Sequence, residues 1–526
     1  MIIELRDSLE FLFPDSVVGK NPCNSMTLDV ARAGTAAVHV LLNELKEGSA
    51  IRVSLRDARG AVVRAAQWFR LVDVPVEGNT GPVGFAEKEG EHNELVIRRA
   101  PFRVCDVMEP ISGSARAAGP IMALRVHLPI PANARPEERT YSVRIKRGRE
   151  EERLSLTVKV HKPAIPPVGR DSWPYTNWFN YELMATRHGF TPWAEGHWRM
   201  MRKYADLMAR GRQNMFRVTW SEIFDMKADL PVLNHERLQR IVNTFTKAGL
   251  HYIEGGHVAG RRGGEWKAST FDVTLSRGLR ATSIEGNAFL SRALHQLREE
   301  IERNGWSSRW IQHVADEPAD ENATDYRILA GMVRKYLPGI PLVDATMTTE
   351  LVGSVNTWCP QCQEYQHNRE KFEAQRALGD KVWFYVCCFP GGPWLNRFLD
   401  EELLRPLLLG WGAALYDLDG FLHWGLNQYA SDEHPFEKTL VRADEDNWLP
   451  PGDGHVIYPG PKEPWSGLRF EAQREGVEDL ELLRQLAERD PKRTGAIVRR
   501  VIRGFNQYTK DARVLRRARR DLLQAL

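Results

Sequence analysis

The first third of the chain shows a period-two pattern of apolar and polar residues. In the stretch AIRVSLRD, for example, Ile51, Val53 and Leu55 alternate with polar side chains. Such alternation predicts half-buried strands, and the stretch 140–160 predicts a hairpin with a polar turn. Because no helical stretch separates these strands, residues 1–162 are predicted to form an antiparallel β-sandwich.

After a proline-rich linker at 163–170, short apolar segments alternate with amphipathic helical segments. Eight such rounds predict a (β/α)₈ TIM-type barrel over 171–485, although the connection between 347 and 355 is too short for a helix. The remaining residues, 486–526, are predicted to be helices packed on the barrel. The predicted strands are 176–180, 215–220, 251–256, 309–318, 341–347, 355–360, 382–389 and 421–429, and the clearest helices are 198–211, 234–250, 287–305 and 322–339.

Composition narrows the range of partners. A net charge of +3 over 526 residues gives no reason to expect a nucleic-acid partner. No apolar run approaches the roughly 20 residues that span a bilayer, so no membrane partner is expected. The first residues, MIIELRDSLEFLFPD, lack the pattern of a signal peptide, which predicts a cytoplasmic protein. A homo-oligomer stays open.

The cysteines do not form a recognisable cofactor motif. Cys359 and Cys362 form a lone CPQC, and Cys387 is followed directly by Cys388. A zinc site needs four ligands, and the sequence offers no second pair to complete one. A redox role is an alternative, but buried, inert thiols are the favoured interpretation. We therefore predict neither a metal nor another cofactor.

The segment HVADEP places two carboxylates, Asp316 and Glu317, at the end of the fourth predicted strand. In a (β/α)₈ barrel the chemistry lies at the carboxyl ends of the strands. Pro318 is expected to hold Glu317 in an extended backbone and to end the strand ladder. We therefore predict that both carboxylates turn towards the barrel mouth, against the alternative of an acidic pair on the surface.

The other strand ends carry aromatic, amide and charged side chains. Flat apolar faces combined with a few polar groups are typical of a saccharide site. The alternative for each aromatic residue is core packing at the barrel top. The predicted substrate-binding residues are Asn177, Trp178, Arg217, Trp220, Glu254, His257, His313, Trp358, Tyr385, Trp424, Asn427 and Tyr429.

Adjacent carboxylates restrict the chemistry. They are poorly placed to act as an acid and a nucleophile on opposite sides of a sugar. They suit substrate-assisted hydrolysis, in which the sugar's 2-acetamido oxygen attacks the anomeric carbon, one carboxylate orients the acetamido group and the other protonates the leaving oxygen. Divalent-metal binding is the competing interpretation, but two carboxylates alone are few ligands for such an ion.

Four stretches resemble the DUF4091 domain and glycoside hydrolase family 123. They are QHVADEP, VWFYVCCFP, GFLHWGLNQY and PPGDGHVIYPGPKEPWSGLRFEAQREGVEDLELLRQL. The resemblance implies a sandwich before a barrel and an exo-acting, retaining β-N-acetylgalactosaminidase that uses an oxazoline intermediate. It further implies that Asp316 orients the acetamido group and that Glu317 is the general acid/base.

The loop after the eighth predicted strand has two interpretations. Asp453 and Tyr458 either line the sugar pocket or belong to a turn-rich loop before the next helix. For Arg469, Glu471 and Glu478 in that helix, a structural role is favoured. The sequence thus predicts a glycosidase for a small saccharide or glycoside; a glycosidase for a different sugar and a non-catalytic carbohydrate-binding protein stay as alternatives.

Overall fold

The computed structural model describes residues 1–430 and 433–526. Its amino-terminal part consists of two five-stranded sheets that face each other. Their shared core contains Val38, Val126, Ile145 and Leu156, drawn from both sheets. The ten strands are Ile2–Asp7, Ser25–Arg32, Thr35–Asn43, Ala50–Arg56, Gln67–Val76, Phe102–Ile111, Ser114–Arg116, Met122–Pro129, Glu138–Arg147 and Glu150–Ala164.

The sandwich follows the predicted alternation with one difference in strand direction. Ala50–Arg56 buries Ile51, Val53 and Leu55, as the sequence predicts. Glu138–Arg147 and Glu150–Ala164 form the predicted hairpin. The prediction of a purely antiparallel sandwich is wrong, because Ser25–Arg32 pairs in parallel with Glu150–Ala164. That last strand also extends two residues into the predicted linker.

Eight parallel strands occupy the positions that the sequence predicts for the second part of the chain. They fall into one sheet of five and one of three. The larger sheet orders them first, eighth, seventh, sixth, fifth, and the smaller one second, third, fourth. In chain order, the eight parallel strands are Tyr175–Asn177, Met215–Val218, Tyr252–Gly255, Trp310–Gln312, Val343–Thr346, Thr357–Pro360, Lys381–Tyr385 and Gly420–His423.

The two parallel sheets meet at two seams rather than in one continuous ladder. At one seam the amide of Asn214 donates to the carbonyl of Tyr175 at 3.2 Å. At the other, Gln312 forms an isolated parallel bridge with Leu342. The strands therefore make two arcs, the larger one a half-barrel, and the predicted closed ladder is only partly realised.

The helices lie between the parallel strands as predicted. His235–Ala248, for instance, begins where the Asn234 side chain caps the amide of Arg237 and ends at Gly249, whose φ is 112°. The α-helices are Tyr181–Thr186, Glu195–Arg210, Trp220–Ile223, His235–Ala248, Ile284–Arg303, Ala323–Tyr336, Cys362–His367, Arg369–Ala377, Leu404–Tyr416, Leu468–Arg489, Pro491–Val501 and Ala512–Ala525, with 3₁₀ turns at Arg262–Gly264 and Asp320–Asn322.

Short antiparallel strands complete the described part of the chain. They lie mainly in the connections that follow parallel strands. Within this part, no helix is both long and apolar enough to cross a membrane. The short strands are Phe224–Lys227, Leu230–Leu233, Ala259–Arg261, Phe271–Val273, Ser276–Arg280, Ile457–Pro459, Pro464–Ser466, Ile502–Gly504 and Gln507–Tyr508.

The helix Leu468–Arg489 joins the two parts of the molecule. It packs so closely on Leu404–Tyr416 that a Cβ atom at Gly476 would lie 2.1 Å from the carbonyl oxygen of Leu407. At its start, the buried guanidinium of Arg469 pairs with the buried carboxylate of Asp106, which belongs to the sandwich, at 3.1 Å. The structural role that the sequence favours for Arg469 is confirmed by these contacts.

Candidate active site

The two predicted catalytic carboxylates lie beyond the ladder of the fourth parallel strand. That strand ends at Gln312, earlier than predicted, and the chain continues through an isolated bridge between Ala315 and Ala259. The amide of Met347, after the fifth strand, donates to the carbonyl of Pro318 at 3.0 Å. Neighbouring strand ends thus hold the loop on both sides of the carboxylates.

The backbone of Glu317 differs from the prediction. Pro318 was expected to favour an extended conformation, but the φ of Glu317 is +44°, in the left-handed region. Residues other than glycine rarely adopt this backbone region, so the conformation carries strain that the surrounding contacts must offset. One such contact is the guanidinium of Arg261, which donates to the carbonyl of Glu317 at 2.6 Å.

The environment of Glu317 favours the protonated form of its carboxyl group. Burial and the negative charge of Asp316 raise the pKa of Glu317 to about 7, although the hydrogen bond from Tyr385 and the charge of Arg261 act in the opposite direction. The Tyr385 hydroxyl donates to one carboxylate oxygen of Glu317 and lies 3.2 Å from the sulfur of Met347. A carboxyl group with a pKa of about 7 is roughly half protonated at neutral pH, so it can both hold and release a proton there.

Asp316 faces solvent and approaches a histidine with a fixed tautomer. Its side chain is 47% exposed, and one oxygen lies 3.7 Å from Nε2 of His257. The guanidinium of Arg217 lies 2.8 Å from Nδ1 of the same ring. Because a guanidinium only donates, Nδ1 must accept and the proton must reside on Nε2, which lies between Asp316 and Asp344, 3.4 Å from the latter.

A buried charged network lies beneath the pair. His313 donates from Nε2 to Glu254 at 2.7 Å and from Nδ1 to Asp344 at 2.8 Å. Burial alone would lower the pKa of His313, but Asp344 and Glu254 raise it to about 9, so the ring is an imidazolium. The pKa values of both carboxylates lie below their ordinary range, because hydrogen bonds from the histidines more than offset the effect of burial.

Asp344 connects this network to residues 313–322, the loop that carries the two predicted catalytic carboxylates (the catalytic loop). Its carboxylate accepts the amides of Val314 at 2.9 Å and Ala315 at 3.2 Å, and also the hydroxyl of Tyr326. Glu254 in turn accepts the indole N–H of Trp178 at 2.6 Å. The network therefore fixes both the backbone that leads to Asp316 and the indole ring of Trp178.

Three of these side chains are close enough to share a metal ion. They are His257, His313 and Asp344. However, both ring nitrogens of His313 already donate to carboxylates. A ligand histidine needs a free lone pair, so an ion would have to displace one of these contacts. The arrangement fits a hydrogen-bonded network better than a metal centre, and the prediction of no metal stays a prediction.

A second cluster lies at the eighth strand. The indole of Trp424 donates to Asp453 at 3.1 Å, and Nε2 of His423 lies 3.4 Å from the other carboxylate oxygen. Burial raises the pKa of Asp453 to about 7 in spite of the nearby Arg397. Arg397 also contacts Nδ1 of His423, which repeats the arginine–histidine–aspartate arrangement beside Asp316.

Several predicted site residues lie elsewhere. Trp358 packs on Phe372 among the helices and donates to Asp380, because its neighbour Cys359 occupies the inward-facing position of that strand. Trp220 packs against Phe224 in the same core.

Four others make structural hydrogen bonds. Asn177 contacts Tyr175 and Arg397, Asn427 contacts the backbone of Asn180, Tyr429 donates to the carbonyl of Ile457, and Tyr458 donates to Asp106. Tyr458 therefore belongs to the contact between the sandwich and the second part of the chain.

Sequence reasoning missed Asp344 and Arg261. A signal for Asp344 exists, since it is a charged residue inside the apolar fifth strand, where burial requires a partner. Arg261 lies in the connection after the third strand and carries no comparable pattern.

The cysteines occupy different environments. Cys359 lies in the inward-facing cluster and Cys362 in the outer core, and burial raises the pKa of both thiols. This agrees with inert thiols. The expectation of burial is wrong for Cys387 and Cys388, which are half-buried, and all six cysteines are free.

A cavity of about 700 Å³ lies at the contact between the sandwich and the second part of the chain. It is lined by Val53, Trp68, Arg210 and Trp465, among others. Its lining comes from the sandwich, the helix Glu195–Arg210 and the segment 463–466, so it is separate from the site at the parallel strand ends.

The sequence comparison matches part of the chain to a family of glycoside hydrolases. Residues 266–486, which include Asp316, Glu317 and Asp453, match the glycoside hydrolase 123 catalytic domain. This match covers less than half of the chain and confirms its resemblance to family 123. A search of curated protein sequences gives no match.

Solved structures give the corresponding likeness in fold. A family 123 glycoside hydrolase from Clostridium perfringens, studied for glycolipid glycan hydrolysis, has a TM-score of 0.73 at 13% identity, covering 99% of this chain and 96% of that chain. An endo-β-1,4-mannanase from Thermotoga petrophila reaches a TM-score of 0.38 at 10% identity, covering 60% of this chain and 77% of that chain. The first likeness supports the fold; the second is too low to support an inference.

Proposed function

We propose that the protein is an exo-acting, retaining β-N-acetylhexosaminidase with β-linked N-acetylgalactosamine as its substrate. The observation that carries the proposal is the protonatable carboxyl group of Glu317, with a pKa of about 7, directly beside the exposed carboxylate of Asp316. The choice of N-acetylgalactosamine and of exo action rests on the family resemblance alone.

The proposed reaction has two steps. In the first, Glu317 gives its proton to the glycosidic oxygen while the acetamido oxygen attacks the anomeric carbon, and Asp316 accepts the acetamido N–H. In the second, the Glu317 carboxylate takes a proton from water while the water oxygen attacks the anomeric carbon, which breaks the bond to the acetamido oxygen and opens the ring. Two displacements at one carbon retain its configuration.

Strand ends would supply the remaining contacts. We propose that the two arcs of parallel strands act as a (β/α)₈ barrel with the substrate at its mouth. Tyr385 would hold Glu317, and Trp424, which is partly exposed, would stack on the sugar. No metal or other cofactor enters this scheme.

Hydrolysis of nitrophenyl glycosides tests the proposal. β-N-acetylgalactosaminide, β-N-acetylglucosaminide and β-galactoside would be compared with wild type, Asp316→Asn, Glu317→Gln and the control Glu321→Gln, an exposed acid in the same loop. We expect wild type and the control to cleave acetamido sugars at similar rates, and Asp316→Asn and Glu317→Gln to be strongly impaired. Equal cleavage of the galactoside would contradict acetamido assistance and support a glycosidase for another sugar.

Two further outcomes separate the alternatives. Proton NMR of the first product should show the β-anomer, and a thiazoline analogue of the oxazoline should inhibit competitively. Binding of sugars without cleavage of any glycoside would instead support the non-catalytic carbohydrate-binding alternative.

A further inference from the structure

An exposed tryptophan lies beside the catalytic loop and has no role in the proposed function so far. Trp266 exposes 52% of its surface. One face of its indole is covered by the guanidinium of Arg261, whose Cζ lies 3.8 Å from the ring centroid. The same guanidinium donates to the carbonyl of Glu317 at 2.6 Å. Arg261 therefore links the ring to the backbone of the proposed general acid.

The segment that carries Trp266 is anchored rather than free. The strands Ala259–Arg261, Phe271–Val273 and Ser276–Arg280 form a small antiparallel sheet around it. Asp325, on the helix after the catalytic loop, accepts from the amide of Phe271 at 3.1 Å and from Arg280 at 3.0 Å.

A further bond ties the turn itself to the catalytic loop. Asn322 donates to the carbonyl of Ala268 at 3.2 Å, and Ala259 bridges to Ala315. The backbone on both sides of Trp266 is thus tied to the loop that carries Asp316 and Glu317.

We propose that Trp266 is the stacking platform for the leaving group, with a neutral sugar or an apolar aglycone as its ligand. This proposal rests on the proposed function. A general acid must reach the glycosidic oxygen, which joins the cleaved sugar to the leaving group. Trp266 is exposed to solvent and linked through Arg261 to the backbone of Glu317, so it would lie next to the leaving group. The uncovered face of an indole is suited to the C–H face of a sugar.

The test compares two substrates with the same N-acetylgalactosaminyl group. One is a β-linked disaccharide with galactose as leaving group, and the other is the β-fluoride, whose leaving group is too small to reach the ring. For Trp266→Ala we expect kcat/KM to fall roughly 10-fold on the disaccharide and to stay unchanged on the fluoride. Trp266→Phe should restore most of the loss.

A matched control is available in Trp448. It is 38% exposed and also carries a cation, the ammonium of Lys438, 4.7 Å from its ring centroid. Trp448→Ala should leave both substrates unaffected. Equal losses of kcat/KM on both substrates, or no loss on either, would contradict the proposal that Trp266 stacks on the leaving group. If wild type cleaves neither substrate, the proposed sugar is wrong. The comparison of a disaccharide with a fluoride is then repeated with the sugar that wild type cleaves in the set of nitrophenyl glycosides.

Discussion

The hydroxyl of Tyr385 donates a hydrogen bond to the carboxyl group of Glu317 across the gap between the seventh and fourth parallel strands. This contact lowers the pKa of Glu317, whereas burial and the charge of Asp316 raise it to about 7. The pKa of the proposed general acid therefore depends on burial, on Tyr385 and on the charge of Asp316. The contributions of Tyr385 and Asp316 can each be removed by a single substitution.

Tyr385→Phe should move the alkaline limb of the pH–rate profile to higher pH. The lost hydrogen bond stabilises the ionised carboxylate, so its removal favours the protonated acid and raises the pKa of Glu317. The profile of kcat/KM reports this pKa in the free enzyme. We expect a loss of rate at the optimum of less than about 10-fold. A limb that stays in place, or moves to lower pH, would contradict the assigned acid.

Asp316→Asn should have the opposite effect on the same limb. Removing the neighbouring negative charge lowers the pKa of Glu317, so the residual activity should decline at lower pH than in wild type. The rate on acetamido sugars should also fall roughly 100-fold or more, because a carboxylate that stabilises developing charge is lost. The pH profile of the residual rate shows whether the pKa of Glu317 has fallen. In the control Glu321→Gln the alkaline limb should stay at its wild-type position.

The positions of the eight parallel strands could be predicted because each is a short apolar run between helical segments. The same pattern does not determine which face of a strand points inward. Trp358 was predicted at the site from its place at a strand end, but the register of its neighbours turns Cys359 inward and Trp358 outward. A shift of one residue exchanges the two faces.

The carboxylate pair was found because Asp316 and Glu317 are adjacent in sequence and stand at a strand end. Its supporting contacts were harder to predict, since they join residues far apart in the chain. Asp344 holds the amides of Val314 and Ala315 from the next strand, and Arg261 holds the carbonyl of Glu317 from an earlier connection. Tertiary contacts of this kind also permit the left-handed backbone of Glu317, which local preferences disfavour.

His257→Leu should reduce kcat on acetamido sugars with little change in KM. The Nε2–H of His257 lies between two carboxylates, 3.7 Å from Asp316 and 3.4 Å from Asp344, so the substitution removes a positive edge beside the proposed acetamido contact without removing a substrate contact. We expect a loss of about 10- to 100-fold. His257→Gln retains an N–H donor at the end of its side chain and should recover part of the rate. A loss confined to KM would indicate direct substrate binding instead.

The tautomer of His257 provides an activity-independent check. In protein labelled with ¹⁵N-histidine, the ring should carry its proton on Nε2, because Arg217 donates to Nδ1. Arg217→Met removes this donor and should yield a mixture of tautomers or the Nδ1–H form. An Nδ1–H ring in wild type would exclude the proposed orientation.

His313→Leu should destabilise the fold more than any surface substitution. The buried imidazolium pairs with Glu254 and Asp344, and removing one partner of a buried pair leaves uncompensated charge that costs about 3–5 kcal/mol. Urea unfolding with His92→Gln as the control tests this, since His92 is about half exposed. A decrease of less than about 1 kcal/mol in the free energy of unfolding would show that this network contributes little to stability.

The same histidine should make stability depend on alkaline pH. The pKa of His313 is raised from 6.5 to about 9 on folding, so the folded state holds the proton more tightly than the unfolded chain. Its contribution is complete below pH 6.5 and is lost as the pH rises through about 9. Urea unfolding of wild type should therefore show a falling free energy of unfolding between pH 7 and pH 10. In His313→Leu this decrease in the free energy of unfolding should disappear. A variant with the same decrease as wild type would show that other groups cause it.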